Sequence, residues 1–187
     1  GWQKSNGAML EAQVARAIGV PLMVIKDGAL VPRIEVIGLA GYARTGKDTA
    51  AAYFIENHGY KRMSFADPIR EALKRLNPRV QVQGLGAISI DAILRLTEKT
   101  GKNGWEFLKE YSPDIRGLLQ RLGTEVGREM FSPDFWVEQA INSAEDGSKI
   151  VFSDVRFPNE AEAIRSLGGK VIRINREGVG PVVGARG

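Results

Sequence analysis

The 187-residue chain has no cysteine and a single histidine, His58. Without thiols it has no disulfide scaffold, no thiolate zinc site and no cysteine nucleophile. One imidazole excludes a poly-histidine metal site and argues against a Ser-His-Asp triad. No apolar run approaches the ~18 residues that cross a bilayer, and no basic flank followed by an apolar stretch opens the chain, so the expectation is a soluble, cytoplasmic protein. Charge of one sign is scarce too: 26 Lys and Arg against 22 Asp and Glu give +4. No dense basic block appears, and a pI near 9.4 by itself does not favour nucleic acid as a partner. A phosphorylated small molecule would satisfy the same excess. Gly1 is not an initiator Met, and both ends are expected to be trimmed.

What is present is an ordinary globular composition, 43% hydrophobic and 26% charged, of a length that suits one domain with a short appendage. Leu10, Val14, Ala17 and Ile18 fall at helical spacing, Val20–Ile25 suits a strand, and 26–32 reads as a turn and linker. Residues 1–32 are therefore expected to be a helix–strand segment preceding a domain at 33–187. Ile34–Ala40 is a β-branched run broken by Gly41–Gly46 ahead of an Ala-rich helix reaching about Asn57. Asp67-Pro68 opens a further helix that ends near Asn77-Pro78. Residues 79–90 read either as an excursion or as a strand pair. Ile115, Leu118, Leu119 and Leu122 mark one helical face before Gly123, and Ser132-Pro133-Asp134 opens another helix. Lys149–Asp154 is a buried-strand pattern ending in a carboxylate, followed by a helix over Asn159–Leu167 and a strand over Lys170–Ile174. Strands alternating with helices predict an α/β fold, a doubly wound parallel sheet.

The chemistry gathers at Gly41-Tyr-Ala-Arg-Thr-Gly46-Lys47, which fits G-x-x-x-x-G-K between a predicted strand and a predicted helix. A glycine-rich turn aims backbone N–H groups at phosphate oxygens, the helix adds its positive end, and Lys47 adds a point charge. Gly41, Ala43, Arg44, Thr45, Gly46, Lys47, Asp48 and Thr49 are thus candidates for binding ATP. The pattern departs from its usual form at Asp48, where a Ser or Thr normally follows the lysine. A carboxylate is a hard oxygen ligand, so Asp48, Thr49 and Asp154 are candidates to hold Mg²⁺. Arg156, two residues after Asp154, would extend to the same side of a strand. Arg44, Arg70, Arg116, Arg121, Arg128, Arg173 and Arg176 are candidate phosphate cations. Trp105 and Trp136 read as core, and His58 as surface.

Four segments together, Gly41-Tyr-Ala-Arg-Thr-Gly-Lys-Asp-Thr49, Ser64-Phe-Ala-Asp-Pro-Ile-Arg70, Leu118-Leu-Gln-Arg-Leu-Gly-Thr-Glu-Val-Gly-Arg128 and Asp154-Val-Arg-Phe-Pro-Asn-Glu-Ala-Glu162, resemble the phage-type deoxynucleoside monophosphate kinases over about residues 34–180. The resemblance implies a P-loop kinase with helices on both faces of its sheet and a helical acceptor-binding insertion. It implies that Mg-ATP phosphorylates a (deoxy)nucleoside monophosphate to the diphosphate. Lys47 and Arg44 become phosphate cations, and Asp67, Arg70, Gln120, Thr124 and Arg128 acceptor residues, to which the arginine reading adds Arg116 and Arg156. Lys47, Arg44, Asp154 and Arg128 are the residues expected to carry catalysis. A kinase of phosphomevalonate or dephospho-coenzyme A, and a non-catalytic ATP-binding module, stay open as alternatives, as does a homodimer. Residues 1–25 also resemble the tail of nucleoside deoxyribosyltransferase-like domains, with Glu11 expected to be inert.

Overall fold

A computed structural model describes residues 5–17, 20 and 22–180. Its described residues fall into two compact units, one containing the chain up to Phe65 and from Ala140 on, the other containing Ala66–Gln139.

The first unit opens with α1 (Asn6–Ala17), then β1 (Met23–Lys26) and β2 (Ala29–Pro32), which pair as an antiparallel hairpin around Asp27 and Gly28. Five of the seven residues of the expected linker, 26–32, are therefore strand. Both turn residues adopt positive φ, the conformation that a tight two-residue hairpin turn requires and that Asp-Gly supplies. Ile18 of the expected first helix lies outside the described residues, and so do 181–187.

The central sheet follows: β3 (Ile34–Ala40), β4 (Lys61–Met63), β7 (Ser148–Val155) and β8 (Lys170–Arg173), in the order β4-β7-β3-β8 with every pair parallel. Two helices cover it, α2 (Lys47–His58) and α8 (Pro158–Ser166). Leu39 clusters with Ala51 of α2, whereas a Cβ on Gly38 would sit 2.5 Å from Ile164 Cδ1 of α8. Neighbouring strand residues face opposite ways, so α2 and α8 lie on opposite faces, and the α/β sheet is doubly wound as expected. The core of this unit includes Leu39, Val151 and Phe152, all fully buried, with Phe65 stacked on Phe152 at 4.2 Å between ring centroids. Arg33 is buried as well, its guanidinium donating to the carbonyls of Ile141 and Ala144 and facing Asp146.

The second unit is helical. It contains α3 (Asp67–Leu76), the hairpin of β5 (Arg79–Val82) and β6 (Gly86–Ser89), then α4 (Ile90–Lys99), α5 (Gly104–Tyr111) and α6 (Asp114–Arg121). Residues 79–90 are thus the strand pair of the two readings. Alternation along β5 buries Val80 and Val82 against Leu73, Ile90, Ile93, Leu108 and Ile115, and each of those side chains contributes on the order of 1.5–3 kcal/mol by leaving water. Asn77, at φ 47°, closes α3.

The apolar face expected to end before Gly123 continues instead into a π segment, Leu122–Phe131. Gly123 and Gly127 are buried there, the Trp136 indole nitrogen donates to the Gly123 carbonyl at 3.0 Å, and a Cβ on Gly127 would collide with the Trp136 ring. Gly127 admits the large ring, Gly123 supplies its nitrogen with a carbonyl, and neither stops the helix. The segment closes with Ser132 N–H donating to Gly127 O, the five-residue step of a π-turn, and α7 (Phe135–Ser143) follows.

Candidate active site

At the end of β3 the chain enters the loop Gly41–Gly46 and leaves it as α2. Three of its residues take positive φ: Gly41 at 145°, Arg44 at 65° and Gly46 at 98°. At Gly41 space is short as well, because a Cβ there would run into the Ile174 carbonyl and come 3.0 Å from Thr45 Oγ1. Closely spaced positive φ values are among the dihedrals from which anion-binding backbone nests are built. Gly46 stands at the N-cap of α2 and no side chain caps that end, which leaves the first-turn N–H groups to an external acceptor.

The side chains reinforce the turn. Lys47 Nζ donates to Gly41 O at 2.9 Å and Tyr42 O at 2.6 Å, and the buried Thr45 hydroxyl donates to Tyr42 O at 2.9 Å. The ammonium is thus folded over the loop itself, paired with carbonyls and, among the described residues, with no carboxylate. Ala43 and Arg44 are exposed on the loop, and Asp48 and Thr49 are exposed in the first turn of α2. Arg173, from the end of β8, lies over the Tyr42 ring at 5.8 Å.

Beside the loop, the ends of β4 and β7 form a polar chain that the sequence reading missed in part. Arg62 donates through a terminal nitrogen to Asp48 Oδ1 at 2.7 Å and through Nε to Ser153 Oγ at 2.9 Å. Asp154, next along β7, accepts from the Ser64 hydroxyl at 2.5 Å and from Phe65 N–H at 3.2 Å. Arg62 and Ser153 went unnoticed because β4 is only three residues long and carries almost no periodicity. Its parallel pairing with β7, Met63 opposite Phe152, is what brings them together.

Arg156 does not follow the expected geometry. β7 ends at Val155, and the N–H groups of Arg156 and Phe157 both donate to Glu160 Oε2, at 2.7 and 3.1 Å. The buried Glu160 turns the backbone into α8, so the two-residue alternation that would align Arg156 with Asp154 stops one residue short. Glu160 was part of the motif, but its capping role was not read from it.

The remaining candidates lie in the helical unit. Asp67 and Arg70 pair on α3 at 2.9 Å. That helix packs on α6 and the π segment, with Ile69 against Gly123. Arg116 and Gln120, four apart on α6, are exposed, as is Thr124 in the π segment, while Arg128 is half-buried. Arg70 and Arg116 share a neighbour in Glu106. The Lys109 hydrogen bond at 2.6 Å holds that carboxyl below its usual range, and the charges of Lys109, Arg70 and Arg116 deepen the effect against burial.

Among the described residues no group of three or more His, Asp or Glu could by itself cage a metal ion. That does not disfavour Mg²⁺, which takes one or two carboxylates and completes its shell with phosphate and water. Asp48, Thr49 and Asp154 carry hard-oxygen donors of the kind such a shared site draws on. No helix among the described residues is long and apolar enough to cross a membrane.

A family model described as deoxynucleotide monophosphate kinase matches residues 87–182. The chain is 32% identical over 158 residues to a protein of Acanthamoeba polyphaga mimivirus assigned as a deoxynucleotide monophosphate kinase, across 77% of this chain and 75% of that one. It is 28% identical to the deoxynucleoside-5'-monophosphate kinase of Escherichia phage T5, over 70% of this chain and 71% of the relative. The deoxynucleotide monophosphate kinase of Escherichia phage RB69 is also 28% identical, over 78% and 84%. The family model covers about half of the chain and the mimivirus relative about three quarters of it, and the chain belongs to the deoxynucleotide monophosphate kinase family.

Proposed function

We propose that the chain transfers the γ-phosphate of ATP to a deoxynucleoside monophosphate, giving ADP and the deoxynucleoside diphosphate. The kinase domain in this reading spans 33–187, preceded by the segment 1–32, and works in the cytoplasm of a host cell. The observation that carries the reading is the loop Gly41–Gly46, with three positive-φ residues leading into an uncapped helix and Lys47 folded over it.

The N–H groups of this turn receive the triphosphate oxygens, and Lys47 and Arg44 balance their charge. Asp48, Thr49 and Asp154 are the residues that would hold Mg²⁺, which supplies charge neutralisation on the triphosphate when bound. Asp67, Arg70, Arg116, Gln120, Thr124 and Arg128 serve the acceptor. The arginines orient its phosphate, and Gln120 and Thr124 offer hydrogen bonds. The acceptor's own anionic oxygen is the nucleophile, so no side chain needs to attack or to remove a proton. The protein's work is positioning and charge stabilisation, and a chain with no cysteine and one histidine loses nothing by it.

The test is a panel of acceptors: deoxynucleoside and ribonucleoside monophosphates, phosphomevalonate and dephospho-coenzyme A, each scored by acceptor-dependent ADP release. Turnover with deoxynucleoside monophosphates is expected. Turnover only with one of the last two compounds, or ATP binding with no acceptor-dependent ADP, would overturn the reading.

A further inference from the structure

Asp48 poses an electrostatic problem. A carboxylate in the first turn of α2 stands at the mouth of a site that, in the reading above, admits a triphosphate with several negative charges. Like charges brought within a few ångströms of each other at a protein surface repel far more strongly than in bulk water. A serine or threonine hydroxyl at that position would carry no such penalty.

Arg62 faces Asp48 directly, and its guanidinium is held at two points, by Asp48 Oδ1 at 2.7 Å and by the hydroxyl of Ser153 at 2.9 Å. Ser153 is buried in the core strand β7, whereas the Arg62 and Asp48 side chains are 53% and 79% exposed. An exposed ion pair contributes little to folding, so this one has no strong structural reason to exist. An arginine fork anchored on a buried hydroxyl has instead lost part of its rotamer freedom in advance. It presents a fixed positive charge to a carboxylate on a different element.

We infer that Arg62 is the positioning residue that makes an aspartate tolerable at the phosphate loop. It neutralises Asp48 in the metal-free site and fastens the first turn of α2 to the end of β7, so that without Mg²⁺ the triphosphate meets a balanced pair in place of a bare carboxylate. This rests on reading Gly41–Thr49 as the ATP site. Arg62 acts through Asp48 and makes no contact with the nucleotide, which separates it from Lys47 and Arg44.

The inference predicts coupling, and a double-mutant cycle reads it. ATP binding is measured by calorimetry on the full chain with no acceptor present, first in EDTA and then with Mg²⁺. Arg62→Ala is expected to weaken ATP about tenfold in EDTA and to shift the melting temperature by no more than a degree or two. In an Asp48→Ser background the same substitution is expected to change ATP affinity less than twofold. Arg62→Lys, which keeps the charge but loses the fork, should recover part of the loss. Equal losses in both backgrounds would mean that Arg62 contacts phosphate itself or only supports the fold. No loss in either background would mean that Asp48 needs no counter-charge. Both outcomes overturn the inference. Lys47→Ala tests the underlying reading separately: if wild type binds ATP and Lys47→Ala does not, the loop stands and the Arg62 cycle is decided on its own terms. A wild type that binds no ATP removes both.

Discussion

The loop after β3 and the exposed face of α6 serve, in the proposed reaction, the two substrates, and they are built on opposite principles. The loop offers backbone. Its N–H directions are set by Gly41, Arg44 and Gly46 at positive φ, and its side chains Lys47 and Thr45 are tied back onto its own carbonyls. Arg116 and Gln120 offer side chains projected into solvent at helical spacing, with Thr124 one turn further on. A backbone nest cannot read a base, but it is rigid and grips any triphosphate. A row of side chains is adaptable, and discrimination among acceptors belongs there.

The hardest test of this contrast is Lys47→Ala. The nest should survive, because its φ angles come from the glycines and Arg44, while the charge that moves with the phosphoryl group is lost. Turnover should fall by at least about a hundredfold, with the melting temperature close to wild type. Acceptor-dependent ADP release and a thermal melt on the same preparation check it. A rate within threefold of wild type would mean that the loop is only a turn.

The difference in construction also explains what the sequence could disclose. Gly41 to Lys47 was legible because a nest is made by residue types at fixed spacing, and spacing is what a sequence displays. The parallel strands β3, β7 and β8 were legible as short β-branched or apolar runs. Arg62 and Ser153 were not, since they meet only through the pairing of β4 with β7, a contact 91 residues apart in the chain. Arg156 was misread because alternation was extended past the end of β7, where Glu160 takes over the backbone N–H groups. The helical face was placed before Gly123, yet the helix runs on past it, and only the folded chain reveals the Trp136 indole donating to the Gly123 carbonyl.

Glycine itself carries the contrast further. In the loop it supplies dihedrals; in the π segment Gly127 supplies room. Gly127→Ala would drive a methyl group into the Trp136 ring, and overpacking of this kind costs ~1–3 kcal/mol. Urea unfolding followed by tryptophan fluorescence should show a lower midpoint, while ATP affinity stays within twofold of wild type. A loss of ATP affinity as large as the loss of stability would dissolve the separation between the two regions. On α6 the effect should be smaller and selective. Arg116→Ala is expected to raise the KM for the acceptor about tenfold, the worth of one charged hydrogen bond, and to leave the KM for ATP unchanged. If both rise together, the helical face does not belong to one substrate.

The smallest effect sharpens the comparison from within the sheet. Glu35 lies near the start of β3, about 20 Å of extended chain from Gly41 at ~3.3 Å per residue, and it accepts the Tyr60 hydroxyl at 2.5 Å. Burial, then this hydrogen bond, then the Glu35 charge push the Tyr60 phenol up to about 12. A phenol that ionises later in the folded chain than in the unfolded one stabilises the fold in full below pH 10, the ordinary value. That stabilisation is lost as pH rises from 10 through 12, at about 1.4 kcal/mol per pH unit. Tyr60→Phe should cost about 1 kcal/mol near neutrality but be immune to this loss, so its unfolding free energy and that of wild type should cross between pH 10 and 12. ATP affinity should not change at pH 7.5, because the pair braces one end of β3 while the nest occupies the other. Parallel stability curves would detach the tyrosine from Glu35. A change in ATP affinity would show that the loop is not set by its own dihedrals and depends on how firmly the strand beneath it is held.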